Sequence, residues 1–491
     1  MADGAGTRAV VLGGSMAGLL AARVLSERFT EVLLVDRDRL TGVATYRPGV
    51  PHGRHAHGLV ARGHQILEEH FPGLTGNLVA AGVRPGDFNG DIRWLFNGRR
   101  IAPSHSGLGC VPATRPVLEN QVRLRVQAIP NVRFVEGHDV LGLETTADRS
   151  RVTGARVQRH DGGAPAETLD ADLVLDTTGR GSRTPLWLEE LGYGRPEEER
   201  IKIDLAYTTR HYRLRADPFG GDLAIIPAAT PRTPRGAFFF PISGGEGLVE
   251  LSLTGILGDH PPTDPDGFLD FARSLPIPDI HESIKDAEPL DDPVTFKYPA
   301  SVRRHYERLA DFPSGLLVMG DAVCTFNPVY AQGMTVSALG SLVLRRHLER
   351  GTEPDARAFF RDLSREIDSP WELAAGSDLG YAGVRGKRSA KVRFVNAYVA
   401  RLQDAAVNDP TLANAFIRVA GLVDPPTSLM LPRHVVRVLR GSRRPPAAHG
   451  NHDSSPSAPT ERPFDASLPS RVPPGGHRRP EPETGRDPLA R

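Results

Sequence analysis

The first residues that could do chemistry form a glycine-rich turn close to the N-terminus. Residues 13–18 read GGSMAG, and Asp36 ends the apolar segment EVLLVD about twenty residues further on. Backbone N–H groups at the start of a helix can bind a pyrophosphate, and a carboxylate ending the next strand can accept hydrogen bonds from ribose hydroxyls. Ser15 replaces the middle glycine of the GxGxxG pattern. The turn predicts a dinucleotide site and leaves NAD and FAD open.

A second group of residues lies far from the first in sequence. Asp321 follows the buried-strand pattern GLLVMGD, and residues 332–334, with sequence QGM, lead into a helix. A carboxylate beside a helix N-terminus suits the ribityl hydroxyls of a flavin. The helix dipole would also stabilise negative charge on the pyrimidine end of the reduced ring. This second group favours FAD over NAD.

Three histidines in six residues, His52, His55 and His57, raise the question of a metal site. Three imidazoles could ligate zinc, but the sequence offers no fourth ligand at a recognisable spacing, so we expect no metal. The two cysteines, Cys110 and Cys324, form no CxxC or Cys/His pattern either. We therefore expect the histidine loop to serve another purpose.

The elements that must position these residues follow from the hydrophobic pattern. A strand pattern at 8–13, a helix and a second strand pattern at 31–36 form a βαβ unit, whose strands are parallel and joined by a right-handed crossover. This predicts an α/β fold with a doubly wound, Rossmann-like parallel sheet. Between residues 202 and 298 the strand patterns are longer, and GAFFFPIS and GLVELSLTG are separated by a GGEG turn. That segment predicts an antiparallel sheet.

The hydrophobic pattern and the composition along the chain predict four regions. They are a discontinuous FAD-binding domain (1–75, 110–200 and 300–350), a substrate domain (76–109 and 201–299), a C-terminal helical region (351–440) and a disordered tail (441–491).

Composition narrows the class of protein. The chain has 491 residues, of which 39% are hydrophobic and 24% charged, and its net charge is +1. These values are typical of a globular protein, and without a basic face we expect no nucleic-acid partner. We find no run of eighteen apolar residues and no signal-peptide pattern, so we expect no membrane association and a cytoplasmic location.

Five segments in this order carry a resemblance to a known family. They are GGSMAGLLAARVL, GVPHGRHAHGL, TRPVLE, DTTGRGSRTPLWLEELGYG and GDAVCTFNPVYAQGMTV. Together they resemble the FAD-dependent monooxygenases related to para-hydroxybenzoate hydroxylase, over about residues 8–440. Within that superfamily the chain is most similar to the polyketide and polyether epoxidase branch, of the monensin and lasalocid type.

The resemblance assigns cofactor roles to nine residues and a catalytic role to none. It implies that Gly13, Ser15 and Gly18 face the pyrophosphate, Asp36 the adenosine ribose, Arg54 and Arg115 the phosphates or the ring edge, and Asp321, Gly333 and Met334 the ribityl and pyrimidine parts of FAD.

The chain also departs from related enzymes. Thr178 stands where such hydroxylases carry an aspartate that helps to bind both FAD and NAD(P)H, so the electron donor is either NAD(P)H or a partner flavin reductase. No WxWxIP segment surrounds Trp94, Trp187 or Trp371, which argues against a tryptophan halogenase.

The resemblance further implies an activity. A flavin C4a-hydroperoxide would transfer one oxygen atom to a polyketide-like intermediate, by epoxidation or hydroxylation, with O2 and an apolar small molecule as substrates. The alternative is an FAD-containing cyclase that uses its flavin structurally to fold a polyene without net redox change. Phe238 and Phe240 share one face of the GAFFFPIS strand and are predicted to line the substrate pocket, whereas Phe239 faces the other way.

Overall fold

The structure, a computed structural model, describes residues 6–160 and 163–441. The predicted disordered tail (441–491) lies outside the described residues except for Gly441. In chain order the strands are β1 (Gly6–Leu12), β2 (Phe29–Asp36), β3 (Gly86–Asp87), β4 (Ile92–Phe96), β5 (Arg99–Arg100), β6 (Gly109–Cys110), β7 (Val132–Glu136), β8 (His138–Thr145), β9 (Val152–Arg159), β10 (Glu167–Asp170), β11 (Leu173–Asp176), β12 (Glu197–Arg213), β13 (Ala224–Ala228), β14 (Gly236–Pro241), β15 (Leu248–Gly255), β16 (Glu288–Pro289), β17 (Val294–His305), β18 (Leu316–Val318) and β19 (Cys324–Thr325).

The helices of the described residues alternate with these strands up to α8 and then follow one another without interruption. They are α1 (Met16–Leu25), α2 (Ala61–His70), α3 (Leu74–Ala80), α4 (Arg115–Gln127), α5 (Thr184–Leu191), α6 (Pro265–Arg273), α7 (Asp279–Ile284), α8 (Gly333–Leu348), α9 (Ala356–Asp378), α10 (Ala390–Ala406), α11 (Pro410–Ala420) and α12 (Pro432–Gly441). None of the described helices is both long enough and apolar enough to cross a lipid bilayer.

A five-stranded parallel sheet forms the centre of the first part of the chain. Its strand order is β18-β11-β1-β2-β7, and α1 makes the crossover from β1 to β2. The apolar residues 9–12 of β1 are fully buried because both faces of the sheet are covered. Helices α1, α4 and α8 pack together on the strands, and a three-stranded antiparallel sheet of order β10-β9-β8 packs against β1, β2 and β11. The predicted fold class is confirmed.

A larger, mostly antiparallel sheet forms the second part of the fold. Its order is β19-β17-β12-β15-β14-β13-β4-β5, with β13 and β4 as its parallel pair. The predicted hairpin is β14 and β15, and β4 and β5 reach the far edge from within residues 76–109. The long strands β12 and β17 pair with each other in this sheet, and β17 also pairs with β19, which follows β18 closely in the chain.

The two faces of the large sheet meet different partners. Phe239 of β14 is fully buried on one face, with its ring centroid 5.1 Å from that of Phe219, in a cluster with α6 and α7. Phe238 and Phe240 point to the other face, as predicted from the alternation of a strand. There Phe240 is buried among residues of the C-terminal helices. The region 351–440 is therefore helical, as expected, and covers part of this sheet.

The loop before α8 is held by a buried carboxylate. Asp378, at the end of α9, is fully buried, and its Oδ1 accepts hydrogen bonds from Asn327 Nδ2 at 2.8 Å and from Tyr330 Oη at 2.9 Å. Burial raises the pKa of Asp378 to about 7, and the two donors only partly oppose this. The start of α8 is thus positioned by a side chain that is distant in sequence.

This carboxyl makes stability depend on pH. Because the folded-state pKa of Asp378 lies above its ordinary value, the folded chain holds this proton more tightly, and stability falls as pH rises from about 4 to about 7. Asp378→Asn keeps the acceptor oxygen and removes the titration. We expect the variant to gain about 4 kcal/mol relative to the parent between pH 4 and pH 8, measured by urea unfolding.

The matched control is Asp404→Asn on α10, whose carboxylate is 36% exposed and pairs with Arg232 at 3.4 Å; because this pair is at the surface, its effect on stability should change with pH far less than that of Asp378→Asn. A stability difference between Asp378→Asn and the parent that does not change with pH would contradict the assignment.

Candidate active site

One cavity of about 600 Å³ joins the carboxyl ends of the parallel strands to the large sheet. Ligands of α/β proteins bind outside the carboxyl ends of parallel strands, and the volume is in the range of a bound small molecule or cofactor. The wall is formed at one end by residues 13–17, 35–37 and 138–140, in the middle by residues 115 and 177–183 except 182, and at the far end by residues 207, 296, 298, 321 and 332–334.

The glycine turn forms the first end of the cavity. Gly13 has φ +102°, and a Cβ there would lie 2.7 Å from the carbonyl oxygen of Thr177. A Cβ on Gly18 would lie 1.8 Å from the carbonyl oxygen of Gly13, so Gly18 sits behind the turn and allows α1 to pack on it. Ser15 stands at the N-cap of α1. The first N–H groups of α1 therefore adjoin the cavity, as an anion site requires.

Asp36 lies beside this turn at the end of β2. Its Oδ2 accepts a hydrogen bond from the Gly14 N–H at 2.6 Å, and its Oδ1 accepts one from the Asp38 N–H at 2.8 Å. Burial raises the pKa of Asp36, and the nearby Arg47 guanidinium opposes that rise. Each carboxylate oxygen retains a lone pair, so Asp36 can still accept from a ribose hydroxyl.

A buried ionic cluster supports the turn. Glu119 on α4 accepts hydrogen bonds from Arg47 Nη2 at 2.6 Å, from Arg115 Nε at 2.9 Å and from Ser15 Oγ at 3.0 Å. Arg115 Nη2 also donates to Ser15 Oγ at 2.8 Å. Burial by itself would raise the pKa of Glu119, but Arg115 and Arg47 lower it to about 2. The cluster is therefore ionised at neutral pH.

The sequence analysis missed two members of this cluster. It predicted Ser15 and Arg115 as cofactor contacts, and both line the cavity, but it did not identify Glu119 or Arg47. Glu119 stands one helical turn after Arg115, a spacing that brings opposite charges together and could have been noticed. Arg47 lies in a loop, and the sequence carries no signal for it.

The far end of the cavity holds the second predicted group. Asp321, Gly333 and Met334 line it, and a Cβ on Gly333 would lie 3.8 Å from Asp321 Oδ1, so the carboxylate faces the start of α8 closely. Burial raises the pKa of Asp321, while Arg180 and Arg115 oppose it. Gln332 also lines the cavity, and its buried Oε1 has no hydrogen-bond partner among the described residues. An unpartnered acceptor here suits a ligand that carries an N–H group.

Aromatic side chains close this end of the cavity. Phe296 and Tyr298 stand two residues apart on β17 and share one face of the strand. The Arg180 guanidinium lies 5.1 Å from the ring centroid of Phe296 and 5.6 Å from that of Tyr298. Tyr207 of β12 lines the same region and stacks on Phe238, with ring centroids 6.2 Å apart. Of these residues, the sequence predicts only Phe238 as part of the site; it does not predict Phe296, Tyr298, Arg180 or Tyr207.

The histidine loop lies against this aromatic wall. The rings of His52 and His57 are 5.3 Å apart, and the ring of His52 is 5.8 Å from that of Phe296. Burial lowers all three histidine pKa values, to about 4 for His55, to about 3 for His57 and well below the ordinary value for His52. The three imidazoles are therefore uncharged at neutral pH. In the described part of the chain no three His, Cys, Asp or Glu side chains are arranged to hold a metal ion.

Most of the predicted site residues meet in this one cavity. Those that line it are Gly13, Ser15, Asp36, Arg115, Asp321, Gly333 and Met334. Arg54 does not line the cavity, and its guanidinium lies 5.2 Å from the ring centroid of Tyr46. Phe238 reaches the wall only through Tyr207, and Phe240 is buried away from it. The ligand-binding roles of all these residues stay predictions.

The residues present fit an FAD. The cavity is continuous, with a glycine cradle and a ribose acceptor at one end and a carboxylate, a helix N-terminus and an unpartnered amide oxygen at the other. The extended form of a dinucleotide requires this arrangement of one polar site at each end.

Comparison with known proteins agrees with this geometry. No family model matches the chain. In solved structures, the fold is similar to that of the flavin-dependent brominase Bmp2 (TM-score 0.62, 15% identity, 84% of this chain and 94% of that chain). It is also similar to a flavoprotein/dehydrogenase from Cytophaga hutchinsonii (TM-score 0.62, 14% identity, 89% and 98%). A third similar structure is PqsL, a probable FAD-dependent monooxygenase from Pseudomonas aeruginosa (TM-score 0.54, 14% identity, 84% and 99%). These structural similarities establish the fold of the chain.

A curated relative shares more of the sequence. Protein Rv3254 of Mycobacterium tuberculosis is 32% identical over 435 residues, which cover 85% of this chain and 90% of that protein. With identity at this level over nearly the whole of both chains, the chain belongs to the family of Rv3254, and it has the fold of the FAD-dependent monooxygenases and halogenases.

Proposed function

We propose that the chain is an FAD-dependent monooxygenase acting on an apolar small molecule. The observation that carries the proposal is the single cavity that joins the glycine turn and Asp36 at one end to the aromatic wall of Phe296 and Tyr207 at the other. A cofactor held at the first end would present its ring at the second, beside a surface suited to an apolar substrate. The fold neighbours, whose names include a brominase and a monooxygenase, support the same class.

The chain's own residues would hold the cofactor as follows. The α1 N-terminus binds the pyrophosphate, Asp36 accepts from the ribose, and Arg115 contributes positive charge beside the phosphates. Asp321 accepts from the ribityl hydroxyls, and the α8 N-terminus at Gly333 faces the pyrimidine end of the ring.

The cofactor and the protein would supply different parts of the chemistry. FAD, when bound, supplies the electron transfer and the activation of O2. The protein orients the substrate against the ring and excludes water, and the uncharged imidazoles of the histidine loop and the aromatic wall suit both tasks. We infer a polyketide-like substrate that is epoxidised or hydroxylated, in line with the resemblance to the polyether epoxidase branch. The electron donor is NAD(P)H or a partner flavin reductase.

The first test concerns cofactor and reaction. We expect the protein to purify yellow, and acid precipitation should release all of the flavin, because no side chain is matched to a covalent flavin link. With an electron donor, candidate polyene substrates and isotopically heavy O2, the product should gain one labelled oxygen atom, read by mass spectrometry.

Other outcomes of this experiment decide between functions. An isomeric product without added oxygen would support the cyclase alternative, and a product that gains a halogen from added bromide or chloride would support halogenation. A protein that cannot be loaded with FAD would contradict the proposal as a whole.

A second test concerns the two carboxylates. Asp36→Ala and Asp321→Ala each remove a charge-assisted acceptor, worth about 1.5–3 kcal/mol, so each should weaken FAD binding by about 10-fold to 100-fold. The measurement is titration of the apoprotein with FAD, followed by flavin fluorescence. The exposed Asp311→Ala is the control and should bind FAD like the parent. Equal affinity in Asp321→Ala and in the control would contradict the assignment.

A third test concerns the adjacent phenylalanines of β14. Phe239→Ala empties a fully buried position and should lower the free energy of unfolding by about 3–5 kcal/mol. Phe238→Ala removes the ring stacked on Tyr207 and should keep FAD while lowering kcat/KM. Phe240→Ala tests the second predicted substrate contact in the same way. If Phe238→Ala and Phe240→Ala both turn over like the parent, the substrate pocket is not on this face.

A further inference from the structure

A row of polar side chains crosses the large sheet beside the cavity. Thr209 of β12 and Ser252 of β15 are cross-strand neighbours, and so are His211 and Glu250. Residues two apart on a strand share a face, so all four side chains stand on one face of the sheet. The same register puts Phe238 next to Ser252 and Phe240 next to Glu250. The face that carries Phe238 and Phe240 therefore also carries a buried acid.

The row begins at the cavity wall. His55 lines the cavity, and its Nδ1 lies 2.8 Å from Thr209 Oγ1. Thr209 Oγ1 lies 2.5 Å from Ser252 Oγ, which lies 3.4 Å from Glu250 Oε1. His55 Nε2 has no hydrogen-bond partner among the described residues and is left for a ligand in the cavity.

The row ends at the protein surface. Glu250 is buried, with its Oε2 3.6 Å from His211 Nε2. His211 Nδ1 lies 2.6 Å from Asp291 Oδ2, and the Asp291 side chain is 43% exposed. Proton donors and acceptors thus follow one another from the cavity to solvent, and the Glu250–His211 link among them is an ion pair.

The hydroxyl groups can all be aligned in one direction. The Ala56 N–H donates to Ser252 Oγ at 2.9 Å and occupies one acceptor position, which leaves the Ser252 proton and a second acceptor position for Thr209 and Glu250. When Glu250 is protonated, it donates to Ser252, Ser252 donates to Thr209 and Thr209 donates to His55 Nδ1; after a proton has passed, all three hydrogen bonds point the other way. Each hydroxyl both donates and accepts, which is what transfer of a proton along the row requires.

The charged groups around the row are consistent with this direction. Burial raises the pKa of Glu250, and His211 opposes the rise. Burial alone would lower the pKa of His211, but Asp291 and Glu250 raise it to about 9. Other titratable or charged groups near this acid and its partners include Tyr46, Arg54, Arg210, Tyr207, His57 and Tyr212.

We propose that His55, Thr209, Ser252, Glu250 and His211 form a proton relay that carries protons between solvent at Asp291 and the cavity. The relay rests on the proposed function. In one passage the Glu250 carboxyl gives its proton to Ser252, Ser252 gives its own to Thr209, Thr209 gives its own to His55 Nδ1, and His55 Nε2–H releases one into the cavity. His211 then reprotonates Glu250 and takes a proton from water through Asp291, so the net change is one proton moved.

The chemistry of the proposed function needs such a supply. Monooxygenation combines substrate, O2, two electrons and two protons to give oxygenated product and water. Without substrate, reduced FAD (FADH⁻), O2 and one proton give FAD and H2O2. A cavity that excludes water must receive these protons through protein groups.

The experiment uses Thr209→Val, which has nearly the same shape but no hydroxyl group. Thr209→Ser retains a hydroxyl and should preserve the relay. Thr208→Val is the matched control, because Thr208 is equally buried but faces the other way and donates to the Pro261 carbonyl oxygen at 2.7 Å. FAD-loaded protein is photoreduced without air and mixed with O2 in weak buffer, and proton uptake is followed with an indicator dye.

We expect Thr209→Val to keep FAD and to take up protons about 100-fold more slowly, at the low end of the contribution of a positioned proton donor. Thr209→Ser and Thr208→Val should match the parent. Uptake by Thr209→Val at the parental rate, with FAD bound, overturns the relay and leaves the proposed function standing. A parent that binds no FAD overturns both.

A second readout needs no turnover. Nuclear magnetic resonance of ¹⁵N-labelled histidine reports which ring nitrogen of His55 carries the proton. Glu250→Gln should change that tautomer ratio in the parent background and leave it unchanged in the Thr209→Val background, because the hydroxyl row carries the coupling. The same change in both backgrounds, or none in either, overturns the relay.

Discussion

The Glu119 carboxylate is the interaction on which the cofactor end of the molecule depends. It lies on α4 and binds Arg47 from a loop, Arg115 and Arg123 from its own helix and Ser15 from the glycine turn. Taking one carboxylate and three guanidinium groups out of water is costly, and removing one partner of such a cluster costs about 3–5 kcal/mol. The arginines outweigh the desolvation, as the pKa of Glu119 of about 2 shows. The position of the turn is therefore set by charge as well as by backbone.

The glycines and the ionic cluster around Glu119 both position the same short segment of backbone, the turn at residues 13–18. Gly13 and Gly18 allow β1, α1 and the strand end at Thr177 to approach more closely than any side chain would permit. Thr177 Oγ1 fixes this contact by donating to the carbonyl oxygens of Leu12 and Gly13 at 2.8 and 2.9 Å. The cluster then holds the turn from the side of α4. Ser15, the one departure from GxGxxG, is explained by this, since its hydroxyl is a partner of Glu119 and Arg115.

The large sheet couples the cavity to the protein surface. Strands β12 and β17 bring Tyr207 and Phe296 to the cavity, whereas β12 and β15 place the buried Glu250 beside His211, which contacts the partly exposed Asp291. One face packs on α6 and α7 and is mainly apolar, with Thr208 and Arg210 as buried polar residues on it, whereas the other carries aromatic rings beside a buried acid. Such a face can bind an apolar ligand and supply protons next to it, provided that the acid is fully hydrogen-bonded.

The local sequence was sufficient to predict the parts of the site whose functional residues lie close together in the chain. The βαβ pattern, the glycine turn with Asp36, and the segment from Asp321 to Met334 each carry their own signal, because a short span of chain contains both the strand and the helix N-terminus. The residues that only tertiary structure brought in are Arg47, Glu119, Arg180 and the row from His55 to Glu250. Decisive partners among them are far apart in the chain, since Arg47 is 72 residues from Glu119 and His55 is 154 residues from Thr209, and a cross-strand hydroxyl has no period in the sequence. Sequence alone therefore determined where a dinucleotide can bind, and strand register and burial decided what surrounds it.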